Sequence, residues 1–263
     1  MEQNLVVWTE NESKQTEQNL FNDPANEQLM AMLYSGAGNV LDVMLEFKQL
    51  MFAASAAMKI VKTKLEILDT EFQMTHNRDP IHMIQTRLKT QASIMEKLTR
   101  KGLEPTTANM EAYVSDIAGV RVICRYMDDI YTVEQLLMQH DDISLLERKD
   151  YISTPKASGY RSLHLIVQVP VFLPDGVRNT KVEIQLRTIA MDFWASLEHE
   201  IRYKKGQQDQ TELLSRLEAC AEVIARTDVE MQAIRMQSDQ MHKPDAQKDV
   251  LLEKLRRMEV SLK

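Results

Sequence analysis

In three separate stretches of this chain, AGVRVICRYM (118–127), SLHLIVQVPVFL (162–173) and TKVEIQLRTI (180–189), apolar and polar residues alternate in twos. That period is the mark of a strand with two different faces, and the Val and Ile content suits a pleated surface. Elsewhere the period lengthens. The run VLDVMLEFKQLMFAASAAMKIVKTKLEILDTEF repeats apolar residues three and four apart, as in Leu41, Met44, Leu45 and Phe52, which is a helical stripe. A chain that switches period in this way needs a sheet with helices laid on it. A helix is expected over Asp128–His140, a short strand over Ile143–Arg148, and a helix again through MDFWASLEHEIRYKK. His82–Lys101 reads as one further helix, stopped by Gly102 and then Pro105.

The expected architecture is α/β (α+β), a mixed sheet flanked by helices with additional helices at both ends. Residues 1–25 are polar and read as a loose arm, 26–205 as the main domain, and 206–263 as a helical extension. Within the extension, GQQDQ reads as a linker, Thr211–Met241 as a long helix, and HKPDAQ as a break before a short last one. The end helices serve either the monomer's own layers or contacts between subunits.

Composition narrows the function. A net charge of −7 rules out a global field that would draw the chain onto a polyanion, so any phosphate site is a local basic patch. The two cysteines, Cys124 and Cys220, lack metal-ligand spacing and suit a reducing compartment. No basic-then-apolar leader opens the chain and no apolar run is long enough to span a bilayer, so a cytoplasmic location without membrane contact is expected. Neither GxxxxGK[ST] nor GxGxxG occurs, and HEIRY at 199–203 has Tyr203 where a zinc HExxH motif needs its second His.

Four constellations remain. From 78 to 101 there are six basic residues, Arg78, Arg87, Lys89, Lys97, Arg100 and Lys101, against Asp79 and Glu96. On a helix, Lys89, Ser93, Lys97 and Arg100 share one face with Arg87 at its flank, and such a face suits a polyphosphate. Taken alone it is better read as the ordinary solvated face of an amphipathic helix. On the strand Lys181–Thr188, Val182, Ile184 and Leu186 point one way, and Glu183, Gln185 and Arg187 the other. Either an edge strand with a wet face or the floor of a cleft explains that polar row. Asp116 stands just before a strand, where it is a turn residue or a cation ligand. The loop DYISTPKASGYRSLH (150–164) offers Lys156, Tyr160 and His164, with Lys149 before it; Tyr160 is either a stacking platform for a base or local packing.

Together, RLKTQASIMEKL (87–98), DIAGVRVIC (116–124), KDYISTPKASGYRSLH (149–164) and VEIQLRTIAMDFWASLEHEIRYK (182–204) resemble, in order, the small alarmone synthetases related to the synthetase domain of the Rel/Spo stringent-response enzymes. ILDTEF, RDPIH and DDIYTVEQLL look closer to the RelP-type than to the RelQ-type branch. The resemblance implies a nucleotidyltransferase-like fold. It also implies transfer of pyrophosphate from ATP to the 3′-hydroxyl of GDP or GTP, with Mg²⁺ as cofactor. Arg87, Lys89, Ser93, Lys97 and Arg121 match ATP-binding positions, and Asp116 and Glu183 match the catalytic, metal-holding pair. Lys149, Lys156, Tyr160, His164, Gln185 and Arg187 match the guanine-nucleotide region. A homotetramer is implied, and single-stranded RNA is a further candidate partner. The rival readings are a nucleotidyltransferase that releases pyrophosphate and a binding module that would need neither carboxylate.

Overall fold

A computed structural model describes residues 40–76, 78–204 and 211–241. The arm at 1–25, the linker and the helix expected after HKPDAQ lie outside these residues. Five strands form one mixed sheet in the order β1-β2-β5-β4-β3. They are β1 (Ile81–Leu88), β2 (Ala118–Cys124), β3 (Ser144–Asp150), β4 (Leu163–Leu173) and β5 (Gly176–Thr188). Only β2 and β5 pair in parallel; the other neighbours are antiparallel. The link from β4 to β5 is a tight Pro174-Asp175 turn, with Leu173 paired to Gly176.

The helices are α1 (Val40–His76), α2 (Gln91–Arg100), α3 (Thr107–Tyr113), α4 (Met127–Leu137), α5 (Ile189–Lys204) and α6 (Thr211–Met241). α1 and α4 cover the apolar sheet face, and the main core lies between them and the strands, around Val61, Leu65, Ile130, Val122, Leu165, Ile184 and Leu186. α5 follows β5 directly and carries α6 on its outer side.

One expectation needs correction. Residues 82–101 are not a single helix: Ile81–Leu88 is an edge strand antiparallel to β2, and the helix starts only at Gln91. Thr90 supplies the break, since its hydroxyl accepts from the backbone N–H of Ser93 and caps α2. The expected stop was in place. Gly102, at φ +67°, ends α2, with Gly102 N–H bonded to Thr99 O and Leu103 N–H to Leu98 O. The short helix α3 has no counterpart in the expected elements.

Candidate active site

The strand registers place polar side chains in rows across the face that α1 and α4 leave uncovered. Gln85 lies opposite Arg121, Arg121 opposite Gln185, Gln185 opposite His164, and His164 opposite Lys149. In the neighbouring row Arg87 faces Gly119, Gly119 faces Glu183, and Glu183 faces Ile166. β5 is the central strand, so its polar row is the floor of a cleft and not a wet edge. Val182, Ile184 and Leu186 on its other side are completely buried.

A cavity of about 230 Å³ opens above this floor, and Lys97, Asp116, Lys149, Lys156, His164 and Glu183 line it, with Glu147 and Tyr151. Six expected residues from four segments therefore meet. Asp116 is held from two sides, by Lys89 Nζ at 2.8 Å and Lys97 Nζ at 2.7 Å. Lys89 reaches it because its backbone N–H pairs with Ile117 O, continuing the β1–β2 ladder by one residue. Burial pushes the Asp116 carboxyl up, but the two ammonium groups outweigh it and hold the group below its ordinary value. Glu183 behaves alike: burial raises it, and the hydrogen bonds from His164 and Gln185 bring it below the ordinary value, against the opposing charge of Asp116.

The hydrogen-bond directions follow by elimination. An ionised Glu183 only accepts, so His164 Nδ1, at 3.3 Å, carries the proton toward it. In the neutral ring His164 Nε2 accepts from the Tyr160 hydroxyl at 2.8 Å, and the Tyr160 oxygen accepts from Arg187 Nη2 at 2.6 Å. Arg187 is buried, and its remaining nitrogens donate to Ser162 Oγ and Asp192 Oδ1. It therefore holds Tyr160 and Gln185 from beside the cavity and does not line it. Arg121 lies beside it and shares the same Asp192 oxygen, at 3.2 Å. Burial and the charge of Arg187 lower the Arg121 guanidinium to about 10, against the pull of Asp192.

The other expected residues sit around this centre. Lys156 Nζ rests 4.4 Å from the Tyr151 ring centroid and 4.7 Å from that of Tyr160, and burial lowers its pKa. Lys149 pairs with Glu147 at 2.8 Å. Ser93 bonds Thr90 at the α2 cap and Arg100 is exposed; Ser93, Lys97 and Arg100 share one side of α2, while Lys89 reaches the site from just after β1 and not from the helix. Asp192, Tyr151 and Glu147 are site residues that the sequence reasoning missed. Asp192 stands in the first turn of α5, where an acidic residue reads simply as a helix start.

Comparisons with known proteins identify the family. A family profile described as "Region found in RelA / SpoT proteins" matches residues 86–208. GTP pyrophosphokinase YwaC of Bacillus subtilis is 44% identical over 197 residues, which is 75% of this chain and 94% of that protein. The crystal structure of small alarmone synthetase 2 from Bacillus subtilis superposes with a TM-score of 0.67 at 41% identity, covering 73% of this chain and 99% of the other. Small alarmone synthetase 1 of the same organism, bound to its product pppGpp, superposes with a TM-score of 0.67 at 35% identity over 73% of this chain and 97% of the other. Sequence, fold and cleft lead to one assignment: this chain belongs to the small alarmone synthetases of the RelA/SpoT family.

Proposed function

We propose that the chain is a GTP pyrophosphokinase, moving the β,γ-pyrophosphate of ATP onto the 3′-oxygen of GDP or GTP. The observation that carries this is the meeting of Asp116, from the turn before β2, and Glu183, from β5, in one lysine-lined cavity. In the reaction the 3′-oxygen forms a bond to the β-phosphorus, the bond from that phosphorus to the oxygen of the α-phosphate breaks, and AMP leaves. The 3′-hydroxyl proton passes to Glu183, whose carboxylate is kept ionised and oriented by His164 and Gln185. Lys89 and Lys97, with Arg87, Ser93 and Arg121, belong to the ATP side; Lys149, Lys156, Tyr160, His164 and Gln185 belong to the acceptor side. Arg187 acts through Tyr160.

A divalent cation belongs to the same reading. The cavity lining holds Lys97, Lys149 and Lys156 against Asp116, Glu147 and Glu183, so the lysines alone leave no surplus for a polyphosphate. Among the described residues no group of three or more His, Cys, Asp or Glu is placed to hold a metal. Mg²⁺ suits such a site, because it takes one or two carboxylates and completes its shell with phosphate and water. Asp116 and Glu183 would hold it, and it would supply the missing positive charge to the phosphate oxygens.

A cytoplasmic homotetramer of the RelP type belongs to the same reading, with 26–205 as the synthetase domain. Exposed Leu45, Phe52, Val223 and Val229 support assembly. Among the described residues no helix is long and apolar enough to cross a membrane. Single-stranded RNA has less support, since the basic residues of 87–101 are divided between strand, cap and cavity.

Incubation with ATP, Mg²⁺ and GDP or GTP, followed by nucleotide chromatography, should yield AMP and a 3′-pyrophosphorylated guanine nucleotide. Release of pyrophosphate instead would identify a nucleotidyltransferase. Glu183→Gln should lower turnover at least about a hundredfold with an unchanged circular dichroism spectrum; full turnover would refute the role of Glu183.

A further inference from the structure

The loop between β3 and β4 carries Lys156 and Tyr160, and its apex leans on a helix that contributes nothing to the cavity. Within the loop, Gly159 N–H bonds to Lys156 O at 2.8 Å and Lys156 N–H to Tyr160 O at 3.2 Å, so residues 156–160 form a tight turn. At its base Tyr151 N–H meets Ser162 O, and the Asp150 carboxylate accepts from the backbone N–H groups of Ile152 and Ser153. These bonds close the loop, but they do not set the direction of its apex.

That direction comes from α6. Gly159 has φ +85°, and a Cβ placed on it would come 2.5 Å from the Cβ of Ala221. The loop backbone therefore touches the helix where only small residues permit the approach. Two residues further along the loop and one along the helix, Arg161 Nη2 donates to Glu222 Oε1 at 2.8 Å. The ring of Tyr160 packs against the cluster formed by Trp194 and Ala221, with Leu217 and Ile224 at its margin. The helix is itself fixed to α5 and to the sheet: Trp194 Nε1 of α5 donates to Leu217 O at 3.0 Å, and Thr188 Oγ1, at the end of β5, donates to the buried Asp228 at 2.6 Å.

We propose that α6 is a positioning element for the acceptor, with Ala221 and Glu222 holding the 156–161 turn so that Tyr160 faces His164 and Arg187. The proposal rests on the reading of this loop as the guanine-nucleotide side of the site. Ala221 and Glu222 touch no substrate; they act through Gly159, Tyr160 and Arg161. Among the described residues the ATP side, built from β1, α2 and β2, is linked to the turn not directly but through Arg121, Asp192 and Arg187. A disturbance of α6 is thus felt by one substrate more than by the other, and any displacement of the helix becomes a change in acceptor affinity.

The full chain carries the test, through steady-state kinetics with ATP and GDP and amide hydrogen exchange without ligand. Ala221→Leu should raise the KM for GDP about tenfold and leave that for ATP within about twofold, while exchange in 156–161 quickens and the central strands stay protected. Glu222→Ala should shift both readouts the same way to a smaller extent, and Glu222→Gln, which keeps an acceptor for Arg161, should restore most of the loss. If circular dichroism shows that Ala221→Leu does not fold, the comparison of Glu222→Ala with Glu222→Gln decides. Unchanged loop exchange in the folded variants would overturn the clamp, and so would equal rises in both KM values. Quickened exchange with an unchanged GDP KM would uphold the contact and overturn the acceptor role of the loop. A wild-type chain that makes no product would sink the proposed activity, with hydrogen exchange still deciding the clamp.

Discussion

Tyr160 shows how much one side chain can organise. Its oxygen receives Arg187 and passes a hydrogen bond to His164, while its ring closes a small apolar cluster under α5 and α6. The partners of Glu183 are therefore set from the far side of the loop. The alternation around Glu183 and Gln185 is legible in the sequence because a strand has a period of two, whatever lies next to it. The burial of Arg187 is not, because it depends on Ser162 and Asp192 arriving from other segments. Asp228 is a further buried carboxyl: burial raises its pKa above the ordinary 3.8, against the lowering effects of Thr188 and Arg161. The folded state then binds the proton more tightly than the unfolded chain. The contribution of this group to stability is complete below the unfolded value and is lost as the pH rises through the folded one. Asp228→Asn, which keeps an oxygen for the Thr188 hydroxyl, should raise the melting temperature at about neutral pH, with the advantage shrinking as the pH falls. Thermal melts across the acid range would show this, and an advantage that grows toward low pH would contradict the sign.

At the scale of elements, the central strands and the long helices were readable, and the β1–α2 corner was not. Ile81, Ile84 and Leu88 fall three and four apart, which imitates a helical stripe on a half-exposed edge strand. The signal that separates strand from helix is local, the Thr90 hydroxyl on Ser93, and it was hidden inside an apparently continuous period. The single-helix reading carried the basic face back to Lys89 and Arg87, which stand at and just after the end of β1, while Ser93, Lys97 and Arg100 keep their helical spacing on α2. Lys89 and Lys97 still meet, but on Asp116 and through the β1–β2 ladder. α1 was legible because its stripe is long, and its inner side carries a large part of the core. Leu65 on that side is completely buried. Leu65→Ala should cost about 2–5 kcal/mol, measured as a lower urea midpoint at unchanged slope. A loss below about 1 kcal/mol would mean that α1 is only loosely seated.

For the whole molecule, α1 and α6 each turn apolar side chains outward while completing the monomer's own layers. On α1, Leu45 and Phe52, and again Ile67 and Met74, lie exposed seven residues apart, the spacing that returns to one side of a helix. A second copy of the chain is the occupant that the tetramer reading supplies for these stripes. Light scattering should give the mass of four chains for the wild type and a smaller assembly for Phe52→Asp, whose circular dichroism should be unchanged. A wild-type monomer would remove the assembly from the proposed function.

The strand order has a consequence for how the chain is made. β1 pairs with β2 and β3 with β4, but only β5, the last strand to leave the ribosome, joins the two pairs. Asp116 therefore waits on one half and His164 on the other until the segment bearing Glu183 slides between them. A chain cut before this strand lacks Glu183 and Gln185 and the pairing that brings Asp116 and His164 to one cavity, so the chemistry proposed above needs the whole sheet.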